Sequence, residues 1–369
     1  MGSQRKGLTS FIPLLALAVV LSLCLGLAKA ATTLPKPVKL EWHYYRIHNT
    51  CKDAEIYVRH QVNESYANDK SIVAKLLRLA STDCLVTGCD ASILLDGPNS
   101  EKTSIKNRGL GGLALINKIK TVLEARCPRV VSCADILQLA TRDAVHLAGF
   151  SHSDPSSNKT FKFLFKFDQS GAPSYPVFTG RRDGMTSIAS SVDIPSPSIS
   201  LEKATAYFKS KGLDVLDMTT LLGAHTLGRT HCRNIEDRLY NFNGTRKPDP
   251  TMDPSFREEM KKKCPERVKA GQSDPLVYLN PESGEHFSFK ETYYKRVLKS
   301  LAVLGIDQQL LYGNDTKEIT QEFAQGFEDF RKSFALSMSR MGNLKVLTGN
   351  QGEIRVNCTC TNKDNPHLK

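Results

Sequence analysis

The sequence predicts a mainly helical protein, and three observations support this prediction. Apolar residues recur at helical spacing in several segments, no run of alternating strands is present, and ten cysteines are spread along the 369 residues. The apolar and charged fractions are those of an ordinary globular chain, which argues against bulk disorder. The length allows one large domain or two modest ones.

The N-terminus has the pattern of a secretory signal peptide. Arg5 and Lys6 precede the apolar run 11–28, and residues 28–30 (AKA) have the small-x-small form of a cleavage site. We expect residues 1–30 to be removed, and a signal anchor that stays in the membrane is the alternative. No other stretch reaches the roughly 18 consecutive apolar residues that a membrane span needs. The mature chain is therefore expected to be soluble and secreted, in the extracellular space or cell wall.

Cysteine usage agrees with secretion. Removal of the signal peptide takes Cys24 and leaves nine cysteines, which in an oxidising compartment predict a disulfide framework with one spare thiol. Several N-x-S/T sequons also fit a secreted glycoprotein, among them those that begin at Asn63, Asn158, Asn243 and Asn314.

The formal net charge is +12, but the basic residues are scattered and do not alternate with aromatic ones. This distribution is unlike a nucleic-acid platform, so no nucleic-acid partner is expected. A diffuse positive field on a secreted protein instead favours contact with polyanionic wall polymers.

Helical periodicity predicts the elements in order. Helices are expected over residues 53–67, 71–82, 113–123, 134–148, 201–211, 217–232 and 320–341. Ser132 followed by Asp135 is a start like a capping box for the fourth helix. Residues 239–289 are predicted to be rich in loops, and residues 150–171 break the helical pattern as an insertion.

A short loop bounded by cysteines is a candidate cation site. The segment 84–89 begins and ends with cysteine, and oxygen-bearing side chains surround Gly88 at short spacing: Asp83, Asp90 and Ser92. Such oxygens suit Ca²⁺, although their spacing is not that of an EF-hand. The alternative is an ordinary turn whose aspartates face solvent, and these residues alone leave both interpretations open.

A histidine in the second half of the chain faces an apolar side. The spacing places Leu221, Leu222 and His225 on one helical face. A histidine in that position is usually a core residue with satisfied hydrogen bonds, and a ligand is the less common case.

Five motifs in fixed order carry a resemblance to a known family. They are DCLVTGCDASILLD (83–96), VVSCADIL (130–137), FTGRRDG (178–184), LLGAHTLGRTHC (221–232) and FALSMSRMGNL (334–344). The sequence resembles the secretory (class III) plant haem peroxidases over essentially the whole mature chain, 31–369. The resemblance implies a mainly helical, monomeric protein with two lobes, about 40–150 and 172–345, that sandwich haem b.

The resemblance also implies disulfides and ligands, residue by residue. The disulfides would be Cys51–Cys127, Cys84–Cys89, Cys133–Cys358 and Cys232–Cys264, leaving Cys360 unpaired. His225 matches the haem ligand, supported by Asp307, and Pro195 matches the substrate edge of the haem. The calcium ligands would be Asp83, Val86, Gly88, Asp90 and Ser92, with Glu101 behind them.

The chain departs from the family at the distal histidine. The family reads RLHFHDC where this chain reads RLASTDC (78–84), so Arg78 remains as the transition-state stabiliser. Ser81 stands in place of an aromatic residue, and Thr82 stands in place of the acid/base histidine. A threonine hydroxyl cannot serve as that base, and acid–base help is worth about 10²–10⁴-fold in rate. Asn107, which matches the partner of that histidine, then has nothing to orient.

Two further departures concern a second calcium site and the insertion. Thr226 and Asn280 remain as ligand candidates for a second Ca²⁺, but Lys290 stands where the family has a ligating aspartate, so one Ca²⁺ is expected. The family runs directly from LAG into a turn like residues 172–176. The segment 150–171 is therefore either a surface loop or retained intron sequence.

Three functions follow from these residues. The first is a haem peroxidase that uses hydrogen peroxide to oxidise small aromatic donors of the phenolic type, slowed by Thr82, in peroxide removal and the response to oxidative stress. The second is a pseudo-peroxidase that binds haem and calcium and has a binding or structural role in the cell wall. The third is a disulfide-rich calcium-binding extracellular module without haem.

Overall fold

The described chain is built mainly from α-helices, which confirms the predicted fold class. The computed structural model describes residues 40–149, 175–266, 273–282 and 287–368. The predicted signal peptide 1–30 lies outside the described residues, as does the whole predicted insertion 150–171.

The helices before residue 175 carry the cysteine loop and the segments that surround it. They are α1 (Tyr44–Ile47), α2 (Ala54–Asn68), α3 (Ile72–Val86), α4 (Leu113–Glu124) and α5 (Cys133–Gly149). Helices α2 and α3 both pack against α5, and α4 packs against α2. Their shared face is apolar, because residues such as Val58, Leu76 and Ile136 are fully buried there.

The helices after residue 175 carry His225 and its surroundings. They are α6 (Leu201–Ser210), α7 (Val215–Leu222), α8 (Glu236–Tyr240), α9 (Pro254–Lys263), α10 (Thr292–Leu298), α11 (Gly305–Gln309), α12 (Asn314–Gln325) and α13 (Phe327–Gly342). Helix α7 packs against α12 and α13, and α10 packs against α12.

Strands are short and form two antiparallel pairs within the described residues. Strand β1 (Glu41–Trp42) pairs with β2 (Phe178–Thr179), and β3 (Arg229–His231) pairs with β4 (Leu276–Tyr278). Each pair is two or three residues long, so helices decide the architecture.

The predicted helices are present, but several of their ends are wrong. Helix α3 continues to Val86, so Cys84 lies on a helix. The predicted helix 217–232 ends at Leu222, after which a 3-10 turn (Gly223–Leu227) and strand β3 follow. The predicted last helix is two helices separated at Gly326, and the region predicted as loop holds α9 and β4.

An aromatic stripe along the last two helices lies in the core. Phe323, Phe330, Phe334 and Met338 are buried, and the rings of Phe330 and Phe289 stack at 4.9 Å between centroids. Such contacts contribute through buried apolar area and offset ring geometry. The stripe is therefore packing.

Four disulfides join distant parts of the chain, and they are the four pairs that the resemblance implies. The bonds are Cys51–Cys127, Cys84–Cys89, Cys133–Cys358 and Cys232–Cys264. Cys360 is the free cysteine of the described residues and is half-buried.

Half of the predicted capping box forms at the start of α5. The Ser132 hydroxyl accepts a hydrogen bond from the Asp135 backbone N–H at 3.1 Å. The Asp135 carboxylate does not return the bond, because the Tyr45 hydroxyl (2.6 Å) and the Arg181 guanidinium (2.8 Å) donate to it. The motif 178–184 thus supplies the partner of a fully buried carboxylate.

Among the described helices, none is long and apolar enough to cross a membrane.

Candidate active site and cation loop

His225 and Asp307 come together across 82 residues of sequence. The Nδ1 atom of His225 lies 2.8 Å from Oδ1 of Asp307, whose side chain is 1% exposed. A carboxylate can only accept, so Nδ1 carries the hydrogen and the lone pair of the neutral ring lies on Nε2. Nε2 makes no hydrogen bond within the described ranges, and 29% of the side chain is exposed. This arrangement fits an axial ligand whose tautomer a carboxylate fixes.

Buried aromatic side chains surround this pair. The Tyr293 ring packs edge-on against the His225 ring, with 6.3 Å between centroids. Burial works against protonation of His225, but the Asp307 carboxylate outweighs burial and raises the pKa of His225 above its usual value. The backbone of Gly223 lies against Tyr294 and Phe330, and a Cβ there would overlap the Tyr294 hydroxyl. The 3-10 turn that contains His225 is therefore packed tightly against Tyr294 and Phe330.

Helix α3 carries Arg78 and Thr82 and contacts the turn that holds His225. The two residues are four positions apart and share one helical face. The Arg78 guanidinium donates to the backbone carbonyls of Lys106 and Arg108, at 3.3 Å and 3.2 Å. Arg78 is thus fixed against the loop that follows the cysteine pair, and its side chain remains exposed.

Asn107 has a buried acceptor that no group uses. Its Nδ2 donates to the Glu101 backbone carbonyl at 2.8 Å, which fixes the amide, while its Oδ1 has no partner in the described part of the chain. Thr82 is 4% exposed and makes no hydrogen bond to that oxygen. A buried acceptor without a partner costs about 1–3 kcal/mol, so the Asn107 oxygen has room for a hydrogen-bond donor that the described residues do not provide.

Pro195 lies half-buried in a turn next to the helix that carries Asp307. Two residues on, the Pro197 carbonyl accepts a hydrogen bond from the Ile306 N–H at 2.8 Å. The structure therefore places the segment of Pro195 against the helix that carries Asp307.

The cysteine loop folds its carboxylates inward, which contradicts the alternative of aspartates that face solvent. Asp83 is fully buried and accepts hydrogen bonds from the N–H groups of Ala91 (3.0 Å) and Ile93 (3.5 Å). Asp90 accepts from the Ser92 N–H at 3.0 Å. Backbone amides thus hold both carboxylates at one place.

Glu101 adds a third carboxyl group, which when ionised has no positive partner among the described residues. Neither of its carboxylate oxygens makes a hydrogen bond to a described residue. Burial, and to a smaller extent the charge of Asp90, raise the pKa of Glu101 to about 7. Burial and the charges of Asp90 and Glu101 also raise the pKa of Asp83. Buried carboxyl groups of this kind either take up a proton or stay ionised beside a positive partner.

The other oxygens expected as ligands in this loop make hydrogen bonds of their own. The Gly88 carbonyl accepts from the Asp90 N–H (2.8 Å), and the Ser92 hydroxyl shares a hydrogen bond with Thr87 (2.8 Å). The Val86 carbonyl accepts a 3.5 Å contact from Lys211, which the sequence did not indicate. No three His, Cys, Asp or Glu side chains of the described ranges form a metal cluster. A cation here would depend on carbonyl and hydroxyl oxygens as well as carboxylates, as Ca²⁺ does.

Thr226 and Asn280 are in contact, as the expectation of a shared site requires, but they bond to each other. The Asn280 Nδ2 donates to the Thr226 hydroxyl at 3.1 Å, and that hydroxyl donates to the Lys290 carbonyl at 3.1 Å. Sequence reasoning missed the carbonyl and the neighbouring Thr292, because a backbone contact across 64 residues leaves no periodic signal.

Comparison with known proteins adds the family. The family model described as Peroxidase matches residues 58–326. The range includes the helix of Arg78, the cysteine loop, the His225 turn and Asp307.

Proteins of Arabidopsis thaliana are similar over nearly the full length. Probable peroxidase 61 is 60% identical over 353 residues, which cover 96% of this chain and 97% of that protein. Probable peroxidase 26 is 60% identical over 331 residues, 90% of this chain and 92% of that protein. Peroxidase 60 is 40% identical over 315 residues, 85% of this chain and 88% of that protein.

Proposed function

The chain belongs to the peroxidase family, and from this premise we propose that it is a secreted plant haem peroxidase of the extracellular space or cell wall. Its substrates are hydrogen peroxide and small phenolic-type donors, and its role is peroxide removal and the response to oxidative stress. The observation that carries the proposal is the pair of His225 and buried Asp307, which leaves Nε2 free of hydrogen bonds within the described ranges.

His225 is the residue that would hold the haem iron. Asp307 keeps the ring in the tautomer that presents a lone pair and increases its basicity. A bound haem supplies the iron that passes electrons between peroxide and donor. Tyr293 and the turn around Gly223 restrict rotation of the imidazole, and Pro195 would border the donor.

At the positions where the family has its distal arginine and histidine, the chain supplies a positive charge but no acid–base group. Arg78 can stabilise negative charge that develops on the leaving oxygen, since its guanidinium stays ionised. Thr82 occupies the position of a proton-moving histidine, and its hydroxyl does not ionise near neutrality. We therefore expect turnover that is slower by about 10²–10⁴-fold than with a histidine there.

The buried carboxylates of the cysteine loop would hold one Ca²⁺. The ligands would be Asp83 and Asp90, the Val86 and Gly88 carbonyls and Ser92, with Glu101 behind them. The fit rests on the uncompensated charge of Glu101 and on the oxygen-only donor set. The cation would brace the end of α3 that carries Thr82.

The test is reconstitution of the mature chain with haem, followed by steady-state oxidation of a phenolic donor with hydrogen peroxide. We expect a Soret band that depends on His225, with His225→Ala as the variant and His231→Ala as the control. Donor oxidation above that of free haem supports the proposal. A preparation that does not take up haem contradicts it.

A second candidate is a pseudo-peroxidase with a binding or structural role in the wall, and the unused Asn107 acceptor beside a threonine favours it. This candidate predicts haem uptake and donor oxidation no faster than free haem. Binding to a wall polyanion such as polygalacturonate, measured at low and high salt, would then be the next experiment.

A further inference from the structure

A network of buried hydrogen bonds lies beside His225. The Thr226 hydroxyl donates to the Lys290 carbonyl (3.1 Å), and the Asn280 amide donates to the hydroxyls of Thr226 (3.1 Å) and Thr292 (2.8 Å). Thr226 and Asn280 are 1% and 0% exposed, so water does not compete for these bonds. We call these four groups the amide–hydroxyl network.

The orientation of the Asn280 amide is fixed. The Glu282 N–H donates to Asn280 Oδ1 at 3.3 Å, so the oxygen faces the backbone and the nitrogen faces the two hydroxyls. A flipped amide would set a donor against the Glu282 N–H. The Asn280 amide therefore presents an N–H donor, and not an oxygen, to the Thr226 hydroxyl, which is the other candidate ligand of a second Ca²⁺.

The described carboxylates nearby are paired with basic side chains. The Glu282 carboxylate lies 3.8 Å from Arg296, and Glu291 lies 2.8 Å from Lys295. Residue 290 contributes its carbonyl, and its side chain is an ammonium. The described residues do not fit the second Ca²⁺ that the family resemblance implies.

We propose that the amide–hydroxyl network replaces this second cation and that Asn280 is a positioning residue for His225. The proposal rests on the proposed function, because it concerns the ring that would bind iron. Thr226 follows His225 in the 3-10 turn, and Thr292 begins α10, whose next residue, Tyr293, packs on the His225 ring. One amide thus ties the turn to the helix that flanks the ring.

The position of Asn280 is set by a strand pair. Strand β4 ends at Tyr278, and the Leu279 N–H donates to the Gly228 carbonyl at 2.9 Å. Asn280 therefore follows an element that is paired with the continuation of the His225 turn. Loss of the amide should loosen the turn relative to α10 without unfolding the strand pair.

The first experiment counts cations. Equilibrium dialysis of the haem-free mature chain against Ca²⁺, followed by metal analysis, is performed on the wild type and on Thr226→Val. We expect the same stoichiometry in both proteins, because the network holds no ion. A cation that the wild type binds and Thr226→Val loses would overturn the proposal.

The second experiment measures the bond between iron and His225 in the reduced, haem-loaded protein by resonance Raman spectroscopy. We expect Asn280→Leu to shift or broaden the iron–histidine band, Thr292→Val to do so less, and a chelator to leave the wild-type band unchanged. Asn234→Leu is the matched control, because it removes an Asn–Thr bond of 3.0 Å to Thr230. A wild-type band in both Asn280→Leu and Thr292→Val would overturn the proposal.

The two experiments separate this proposal from the proposed function. Failure of the chain to take up haem would contradict the proposed function and the positioning role together. The cation count in the haem-free chain would still decide whether the network stands in place of an ion. Haem uptake with an unaltered band in the Asn280 variant would leave the proposed function intact and remove only the positioning role.

Discussion

We expect Thr82 to limit how fast this chain turns over. It lies on the same face of α3 as Arg78, whose guanidinium donates to the carbonyls on either side of Asn107, and Asn107 presents a buried oxygen without a partner in the described residues. Proton transfer from peroxide needs a group whose pKa is near neutrality, and histidine is the side chain that meets this condition. The rest of the site is compatible with such a group.

The first prediction is that Thr82→His raises the rate of peroxide-dependent donor oxidation by about 10²–10⁴-fold. The new imidazole would supply the base, and Asn107 would fix its orientation. Stopped-flow and steady-state rates of the haem-loaded protein measure the gain. Thr82→Val is the control and should stay at the wild-type rate. A wild-type rate equal to that of a histidine-containing variant would show that another group supplies the base.

Individual residues could be predicted from the sequence to different degrees. His225 and Asp307 were paired by motif, and the structure brings them to 2.8 Å. The amide–hydroxyl network could not be predicted. Lys290 takes part through its backbone carbonyl, and the type of its side chain gives no indication of that contact.

At the scale of elements, the 3-10 turn after α7 matters most. The sequence predicted one helix through His225, because the apolar spacing of residues 221–225 is helical. The backbone departs from that helix at Gly223, where close contact with Tyr294 and Phe330 leaves no space for a side chain. Periodicity describes which face is buried, and it does not report how near a neighbouring element lies.

The second prediction concerns this contact. Gly223→Ala should lower the free energy of unfolding by about 1–3 kcal/mol, because the methyl group overpacks the wall behind the turn. Chemical denaturation with a circular dichroism readout measures the change. Ala224→Gly, in the same turn, serves as the second variant. Gly212→Ala is unsuitable, because a side chain at the φ of +86° of Gly212 would strain the backbone. An unchanged Gly223→Ala protein would mean that the turn yields without cost.

The cysteine loop links element and molecule, since it connects α3 to the segments of residues 341 and 344. The Cys89 N–H donates to the Leu344 carbonyl at 2.9 Å, just after α13. A cation in the loop would therefore stabilise the whole described fold.

The third prediction is that a calcium chelator lowers thermal stability. At a free Ca²⁺ concentration of about 100 times Kd, a bound ion contributes about 2.7 kcal/mol, so chelation should remove that amount. Differential scanning calorimetry with and without EGTA measures the loss. Asp83→Asn should be insensitive to EGTA, whereas Asp96→Asn, which removes an exposed carboxylate paired with Lys102, should respond as the wild type does. Identical melting of the wild type in both buffers would exclude the site.

The stability of the molecule at low pH depends in part on a buried ion pair. Arg238 and Asp249 are both buried and lie 2.8 Å apart, and the Arg238 guanidinium also donates to the carbonyls of Ala302 and Val303. Burial alone would raise the pKa of Asp249, but hydrogen bonds from Thr251 and the Arg238 charge outweigh it and lower that pKa. Stability from this carboxylate is therefore present above its unfolded pKa of about 3.9 and is lost as pH falls below it.

The fourth prediction follows from this pair. Asp249→Asn should cost about 3–5 kcal/mol at pH 7, because the Arg238 charge remains buried without its partner. Its stability should also fall less steeply than that of the wild type between pH 5 and pH 3. Urea denaturation across this pH range measures both effects. Glu258→Gln, at an exposed pair with Lys261, should leave stability nearly unchanged, because solvent screens that pair.

The bond between Cys133 and Cys358 spans 225 residues and has a consequence for the order of assembly. Among the eight paired cysteines Cys358 is the last to leave the ribosome, so this bridge can close only after the other three pairs are available to oxidise. It encloses His225, Asp307 and the amide–hydroxyl network in one covalent ring. Cys360 lies two residues beyond Cys358 and is a rival for Cys133 while that ring is still open. The last disulfide to become available is thus also the one for which a competing thiol, that of Cys360, lies close by in the sequence.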